Sequence, residues 1–412
     1  MSMNKTILAI GLLLCSGVSE VQALNKEIRA LFQPDPSRPN KNAFINQTPN
    51  SGYCQSYPAE CAANGMFSIQ LPIRFTSSTF IGANDTVGVR APANGRRLTV
   101  TNPDTQHTET VEVRISGVGS RYVLDSPATQ IAGGSTALEG HSRLWRTGNW
   151  VQGIPVPCMY SGVGEYGADY FRFFWKTVKE GFCGKRVAFP AHIRWMHFDT
   201  LDIAYELITP NPLTMSTGRY VGSLSYNLGP GADFDMGMYM IPDVTELTLD
   251  FVLDVQHALK VDIPPGGNHV SLEPQGGWRG WLESGRRPTR LYRDQTFNIS
   301  ASSKFSMKIE CEHDLGFGDG CGIMNPQTGF AGGVNVSVSL PSGLTDSSGG
   351  AVRKMPLRRT PTAPFQPAAY VEGKSGTLHF EVAERYTNWL IDNAGDKPYK
   401  GNITVIWDSE AG

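Results

Sequence analysis

Residues 398–407 of the chain read PYKGNITVIW, and this stretch decides the class of fold. Ile403, Val405 and Trp407 occupy every second position, which is the spacing of a β-strand with one buried face. The same alternation appears upstream, in residues 110–115, 247–251, 334–340 and 378–382. Short alternating segments in a chain with 45 glycines and 27 prolines among 412 residues predict many turns and an all-β architecture.

One segment departs from this alternation. Residues 168–180 read ADYFRFFWKTVKE and are followed by Gly181. Because apolar and polar side chains mix here without a period of two, the segment predicts a short helix inserted in the N-terminal half. Asn94-Gly95 lies between two strand-like runs and predicts a hairpin turn.

The length of the chain allows two domains, each with its own core. Tyr220-x-Gly222 and Tyr399-x-Gly401 each belong to an alternating strand, so the two halves end on a similar motif, although two ordinary strands could share it by chance. The expected organisation is a signal peptide at 1–23, an N-terminal β domain at 24–235, a Met-rich linker at 236–243 and a C-terminal domain at 244–412.

The N-terminus has the features of a secretory signal peptide. Lys5 is followed by an apolar run over residues 7–14 and by Val21-Gln22-Ala23, a pattern typical of a cleavage site. We therefore expect an exported protein whose mature chain starts at Leu24.

The cysteines fit an exported protein as well. Of the seven cysteines, six follow the predicted signal peptide, and an even number in an oxidising compartment indicates disulfides. Many pairings are possible, but proximity in the sequence favours Cys54–Cys61, Cys158–Cys183 and Cys311–Cys321. None of them lies in a CxxC motif, which argues against thiol redox chemistry and against a zinc ribbon.

The charge and the motifs argue against several functions. The net charge of −2 is unlike that of nucleic-acid-binding proteins, which present a strongly basic face. No HExxH, GxSxG or P-loop motif is present, and we expect neither a cofactor nor a bound metal. An exported carbohydrate-active enzyme with a β-sandwich fold is the alternative to a binding protein. Its acid and base would be paired carboxylates, either Asp199 with Asp202 or Asp233 with Asp235.

With these features the chain resembles the tip proteins of chaperone–usher pili. It is most similar to the two-domain tip adhesins of colonisation-factor (class 5) fimbriae and to the CblD-like pilus initiators. The C-terminal strand with Tyr399-x-Gly401 resembles the final strand of a pilin. The strand that starts at Gly218 leads through residues 240–242 into residues 244–253, in the manner of the junction between the two domains of such adhesins.

The resemblance implies two tandem immunoglobulin-like β-sandwiches, of which the C-terminal one is an incomplete, pilin-type sandwich that lacks its last strand. The chain stops soon after Trp407, as an incomplete sandwich would, but its end (residues 408–412, DSEAG) lacks the penultimate aromatic residue of pilins. The missing strand leaves an apolar groove that a donor strand fills by β-strand addition. The implied groove residues, which would otherwise fill a closed core, are Val334, Val336, Val338, Tyr399, Gly401, Ile403, Val405 and Trp407.

The resemblance also implies partners and a location. The partners are a periplasmic pilus chaperone, an outer-membrane usher and a major pilin subunit. The chain would pass through the periplasm to the pilus tip at the cell surface. There it would bind a host cell-surface glycan or glycoprotein, and a pilus initiator without receptor binding is a further alternative.

Tryptophan and arginine side chains are the candidates for receptor binding, because aromatic rings offer apolar faces and guanidinium groups pair with acidic groups. Three candidates, Arg143, Trp145 and Arg146, lie between Gly140 and Gly148, and Trp150 follows Gly148. The other two candidates are Arg96 and Arg97, directly after the predicted turn. Tryptophans are also common in cores, and arginines beside turns are often solvated.

Overall fold

A computed structural model of the chain describes residues 23–63, 66–162, 164–314, 316 and 319–409. Apart from Ala23, the predicted signal peptide lies outside the described residues, and so do residues 410–412. The described chain is mostly β with a few short helices, which confirms the all-β prediction. Within these ranges, no helix is long and apolar enough to span a membrane.

The secondary structure consists of many short strands. Those of the first half are β1 (Ala23–Phe32), β2 (Ile45–Asn46), β3 (Ser68–Leu71), β4 (Phe75–Ser77), β5 (Thr86–Val89), β6 (Arg96–Thr101), β7 (Thr108–Leu124), β8 (Cys158–Tyr160), β9 (Glu165–Tyr166), β10 (Tyr170–Thr177), β11 (Cys183–Arg186), β12 (Met196–Phe198), β13 (Leu201–Ile208) and β14 (Gly218–Asn227). Those that follow are β15 (Met240–Pro242), β16 (Glu246–Val255), β17 (Leu259–Asp262), β18 (Leu291–Ala301), β19 (Ser306–Cys311), β20 (Cys321–Met324), β21 (Ala331–Ser339), β22 (Leu344–Thr345), β23 (Met355–Pro356), β24 (Gln366–Pro367), β25 (Val371–Val382) and β26 (Ile403–Asp408). The helices are α1 (Tyr53–Ser56), α2 (Pro58–Ala63), α3 (Ala128–Ala132), α4 (Ala137–Leu144), α5 (Arg279–Ser284) and α6 (Glu384–Asp392), with a 3₁₀ helix at Pro212–Thr214.

A large sheet contains most strands of residues 23–255. Its strands follow the order β15-β4-β12-β7-β6-β14-β16-β1-β2, and β10, β13, β3, β8 and β9 join it at the side. The long strand β7 is the centre of this sheet, because it pairs with β6, β10, β12 and β13. The side chains of its inner face belong to a first hydrophobic core that includes Tyr122, Trp150 and Phe173.

The strand β1 extends this sheet next to β16, far along the chain. The two strands are parallel in a continuous register, from Ala23 opposite Glu246 to Phe32 opposite Val255. β16 also pairs with β14, and its apolar side chains pack in the first core. The first core ends at Val255 and the second starts at Leu259, whereas the linker was predicted at 236–243. The assignment of domains remains a prediction.

A second hydrophobic core lies within residues 259–407. On one side it is covered by strands in the order β17-β18-β25-β21-β20, with β23 beside β21. On the other side β19 pairs with β26 in a two-stranded sheet. Phe297, Met307, Ile309 and Val336 fill this core together with Leu390 of α6.

The helix predicted over 168–180 is wrong. These residues contain the strand β10, which pairs with β7, β8 and β9. Because β10 is largely buried on both faces, apolar residues fill consecutive positions and the period of two disappears from the sequence. Its aromatic residues favour a strand. The short α-helices of the N-terminal half are α1 to α4 instead.

Two further local predictions differ in outcome. The disulfides Cys54–Cys61, Cys158–Cys183 and Cys311–Cys321 are all formed, which confirms the pairing by proximity. Asn94-Gly95 does not form a hairpin between its flanking strands. The strand β5 before it pairs with β11, whereas β6 after it pairs with β7.

Candidate functional site

The last strand, β26, covers the second core and pairs with another strand along only one of its two edges among the described residues. It pairs with β19, and its opposite edge pairs with no further strand among the residues that the structure describes. The outer edge of β19, by contrast, is covered, since the backbone N–H of Ile309 donates to the carbonyl oxygen of Arg358 at 2.8 Å. An unpaired edge presents backbone N–H and C=O groups to any strand that can lie beside it.

The apolar side chains of β26 are only half-buried. Ile403, Val405 and Trp407 pack against the second core, yet each keeps part of its surface in solvent. The inward residues of the paired strand, Met307 and Ile309, are completely buried. The inner face of β26 therefore has apolar surface that a further strand could cover, and each Å² removed from water would contribute about 25 cal/mol.

The opposite border of this surface is β17, the edge strand of the larger sheet of the second core. Leu259 and Val261 of β17 are partly buried and pack against the core. β17 lies beside β18, and the ring of Trp407 lies 5.7 Å from that of Phe297 on β18. We call the surface between β17 and β26 the open groove. Sequence reasoning missed β17, although Leu259, Val261 and Ile263 alternate.

Trp407 has a polar group without a partner in this groove. Its Nε1 atom is buried and has no hydrogen-bond partner among the described residues. A buried indole N–H normally donates to an acceptor, because an unpaired buried donor is destabilising. The open groove is thus incomplete both in apolar cover and in hydrogen bonding.

The other residues predicted for the groove lie away from its edge. Val334, Val336 and Val338 are completely buried on β21, an interior strand paired with β25 and β20. They form the wall of the core opposite β26. The hydroxyl of Tyr399 donates to the carbonyl oxygen of Asn393 at 2.8 Å and anchors the chain before β26.

The two Tyr-x-Gly motifs have the same physical cause. A Cβ atom on Gly222 would lie 2.4 Å from the carbonyl oxygen of Thr99, and one on Gly401 would lie 2.6 Å from that of Gly322. Only glycine allows a neighbouring strand to approach so closely. The motif therefore marks a close approach of backbones in both halves of the chain.

The tryptophans predicted to bind a receptor are core residues. Trp145 and Trp150 are completely buried. The Nε1 of Trp145 donates to the hydroxyl of Tyr122 at 3.1 Å, and Trp150 stacks on Trp175 with ring centroids 5.0 Å apart. This corrects the expectation of a presented loop, because a ligand at the surface cannot contact either ring.

The arginines predicted to bind a receptor lie at or near the surface and contact polar groups of the chain itself. The contacts are Arg96 with Asp233 (Nη1 to Oδ2, 3.2 Å), Arg97 with Glu112 (Nε to Oε2, 3.2 Å), Arg143 with Glu139 (Nη2 to Oε1, 2.5 Å) and Arg146 with Asn84 (Nη1 to Oδ1, 3.4 Å). A receptor role for these four arginines remains a prediction.

The carboxylates considered for an enzyme are held by contacts within the chain. Asp233 and Asp235 accept hydrogen bonds from backbone amides of their own loop. Asp199 accepts a hydrogen bond from Nε of Arg121 at 2.6 Å. Asp202 is buried, and burial raises its pKa to about 6. A substrate would have to displace these contacts or reach a buried group.

Comparison with known proteins gives matches among solved structures alone. No protein-family model and no curated protein matches the sequence. The chain is similar to CfaE, the adhesive subunit of CFA/I fimbria of enterotoxigenic Escherichia coli, at 9% identity and a TM-score of 0.28, covering 93% of this chain and 92% of that one. It is also similar to a chain of the chaperone–tip adhesin complex of CFA/I fimbriae, at 10% identity and a TM-score of 0.26, covering 94% of this chain and 96% of that one.

A further similarity is to a chain of the CsuC–CsuE chaperone–tip adhesion subunit complex from archaic chaperone–usher Csu pili of Acinetobacter baumannii. Here the identity is 7% and the TM-score 0.22, with 94% of this chain and 98% of that one covered. These structures contain tip adhesins of bacterial fimbriae and pili. A likeness at such identities and TM-scores carries no argument by itself.

Proposed function

We propose that the chain is a minor or tip subunit of a chaperone–usher pilus, joined to the pilus by donor-strand complementation, that binds a host surface glycan or glycoprotein. The observation that carries this proposal is the open groove. At this groove the strand β26 has an unpaired edge and half-buried apolar residues, whereas Met307 and Ile309 of its partner strand are completely buried. The resemblance of this strand to the final strand of a pilin supports the same conclusion.

A donor strand would supply what the groove lacks. Its backbone would pair with the free edge of β26, and its alternate side chains would cover Val405 and Trp407. Its carbonyl groups are acceptors of the kind that Nε1 of Trp407 needs. A periplasmic chaperone would occupy the groove first, and the N-terminal strand of a major pilin would replace it at the usher.

The test is the thermal stability of the full chain with and without a donor peptide. The peptide is copied from the N-terminus of a candidate major pilin of the same organism, and a scrambled peptide is the control. A ligand that binds only the folded state at about 100 times its Kd adds about 2.7 kcal/mol to the free energy of unfolding. We expect the donor peptide to raise the thermal midpoint by several degrees and the scrambled peptide to leave it unchanged.

A pair of variants locates the effect in the groove. Val405→Asp puts a carboxylate on the half-buried face of β26, and Thr404→Asp puts the same group on its exposed face. The first variant should lose the response to the donor peptide and the second should keep it. If the peptide has no effect on the wild-type chain, or stabilises both variants equally, the proposal is wrong.

A further inference from the structure

A second surface with unused binding groups lies on the outer face of the first sheet. Cross-strand register places one row of residues across β15, β4, β12, β7 and β10: Ile241, Thr76, His197, Val123 and Tyr170. Residues opposite each other in neighbouring strands point to the same face. Met196 and Phe198, on either side of His197, pack in the first core, so this row faces outward.

A second row lies next to the first. Arg172 lies opposite Arg121, and the Arg121 guanidinium donates to Asp199 through Nε at 2.6 Å. The Arg121 guanidinium also lies 5.3 Å from the ring centre of Tyr170. The ring of Trp195 is 38% exposed and lies 4.7 Å from that of His197. We call these six residues the outer-face cluster: Arg121, Tyr170, Arg172, Trp195, His197 and Asp199.

One side of the cluster is bounded by the α1–α2 turn. The disulfide Cys54–Cys61 holds this turn, and Tyr53 stacks on Phe174 with ring centroids 4.5 Å apart. Phe174 is two residues after Arg172 on the same face of β10, so the α1–α2 turn covers the sheet directly beside the cluster. The α1–α2 turn therefore borders the cluster on one side, so a ligand on the cluster could contact both the sheet and this turn.

Three polar atoms of the cluster are buried without a hydrogen-bond partner in the described structure. They are Nδ1 of His197, Oδ1 of Asp199 and Nε of Arg172. His197 is only 8% exposed. The carboxylates nearest to Arg172, Glu165 at 3.8 Å and Asp202 at 3.9 Å, are too far away for hydrogen bonds. Since buried polar groups are normally satisfied, these atoms keep unused hydrogen-bonding capacity, which a ligand can meet once the side chains that cover them rotate.

The charges of the cluster are balanced. Arg121 is paired with Asp199, Arg172 lies between Glu165 and Asp202, and Arg74 acts on His197, so three positive groups face three carboxylates. Burial, followed by the positive charge of Arg74, lowers the pKa of His197, which therefore stays neutral near pH 7. A surface without excess positive charge does not favour an anion. Hydroxyl groups, which both donate and accept, fit a mixture of free donors and acceptors, and Trp195 offers an apolar face beside them.

A cavity elsewhere in the first half is less suited to a ligand. It has a volume of about 360 Å³ and is lined by Phe182 and Tyr239, among others. Its carboxylates Asp85 and Asp235 already accept hydrogen bonds from loop amides at 2.7 to 2.9 Å. In the outer-face cluster, by contrast, polar atoms remain unpaired next to an exposed aromatic ring.

We propose that the outer-face cluster binds an uncharged saccharide, with Trp195 stacking on the sugar ring and the side chains of His197, Asp199 and Arg172 rotating to bond its hydroxyls. This inference rests on the proposed adhesin function and names the site and ligand class for it. The site differs from the arginines predicted from the sequence, and its members come from strands that are distant along the chain.

The experiment titrates the full chain with lactose, N-acetyllactosamine and methyl α-mannoside, and with sialyllactose as the charged counterpart of lactose. Binding is followed by saturation-transfer NMR. We expect at least one of the neutral sugars to bind, and sialyllactose to bind no more tightly than lactose. Trp195→Ala should weaken binding about tenfold or more, because it removes the stacking face. Trp389→Ala is the matched control, since Trp389 is also 38% exposed but lies in the other half of the chain.

The outcomes separate this inference from the proposed pilus function. Folding of each variant is checked by its thermal midpoint, and His197→Ala provides a second test if Trp195→Ala does not fold. No binding of the three neutral sugars, or binding that survives both substitutions, would overturn the inference. If the donor peptide still stabilises the chain in that case, the pilus proposal stands alone. If sugars bind through Trp195 but no donor peptide acts, the saccharide site stands and the pilus proposal fails.

Discussion

Gly222 and Gly401 hold equivalent positions in two similar motifs, and at each of them a carbonyl oxygen of a neighbouring strand occupies the space of a Cβ atom. In each motif the preceding tyrosine is also fixed through its hydroxyl. Tyr220 accepts a hydrogen bond from the backbone N–H of Ser216 at 3.1 Å, and Tyr399 donates to a backbone carbonyl. A short pattern in the sequence thus reports a contact between strands, which explains why it occurs in both halves.

Replacing either of these glycines by alanine should destabilise the chain. The added methyl group meets backbone atoms, which cannot move aside without shifting a strand, so we expect a loss of about 1–3 kcal/mol in the free energy of unfolding. Gly280→Ala is the control, because a Cβ there has no heavy atom within 4 Å and the residue lies in α5. Urea unfolding of the three variants measures the effect. Equal stability of all three would show that the close approaches are not rigid.

Asp202 should make the stability depend on pH in an unusual direction. Burial raises its pKa from 3.8 to about 6, so the folded chain holds this proton more tightly than the unfolded chain. The stabilisation is fully present below pH 3.8 and is lost as the pH rises through 6, and it corresponds to about 3 kcal/mol. In Asp202→Asn this part of the pH dependence should disappear.

Urea unfolding between pH 4 and pH 7.5 tests the role of Asp202. The exposed Asp396→Asn variant serves as the control and should follow the wild-type curve. If Asp202→Asn keeps the wild-type pH dependence, another group is responsible for it and Asp202 is already ionised in the folded chain.

Among the elements, the strands with one buried face were predictable and the others were not. β14, β21 and β26 alternate, and the sequence places their ends to within three residues. β10 is buried on both faces and has no alternation to read. The open groove was predicted on the side of β26 and missed on the side of β17, which is short. The outer-face cluster could not be predicted, because register between distant strands has no local signal in a single sequence.

The strand β1 shows the same limit and gives a test of it. No pattern in its sequence predicts a parallel partner strand more than 200 residues away, yet Ile28 and Phe32 are buried beside β16. Ile28→Ala should lower the free energy of unfolding by about 2–4 kcal/mol, because it leaves a cavity in the first core. Asn25→Ala, at an exposed position of the same strand, should change it by less than about 0.5 kcal/mol.

Urea unfolding of these two variants decides whether β1 is an integral strand. Similar small effects of both substitutions would mean that β1 contributes little and that the first sheet ends at β16.

At the scale of the whole molecule, the two cores differ in how they are closed. The first core is completed by β1 from the same chain, whereas the second keeps an open groove beside β26. His257 lies between them. Its Nε2 is 2.9 Å from the carbonyl oxygen of Met215, its Nδ1 is 3.1 Å from the hydroxyl of Ser302, and its ring lies 5.5 Å from that of Phe32. His257 therefore contacts residues that lie before and after the change from the first core to the second.

Calorimetry of the full chain should therefore show two transitions that respond differently to a donor peptide. The second core contains fewer buried residues and keeps the half-buried strand β26, so it should unfold at the lower temperature. The peptide binds only that core, so it should raise the lower midpoint and leave the upper one in place, because mass action stabilises only the unit that binds. Ile28→Ala should do the opposite and lower the upper midpoint, since Ile28 packs in the first core. If the peptide shifts both transitions together, the two cores unfold as one unit, and closure of the groove then stabilises the first core as well as the second.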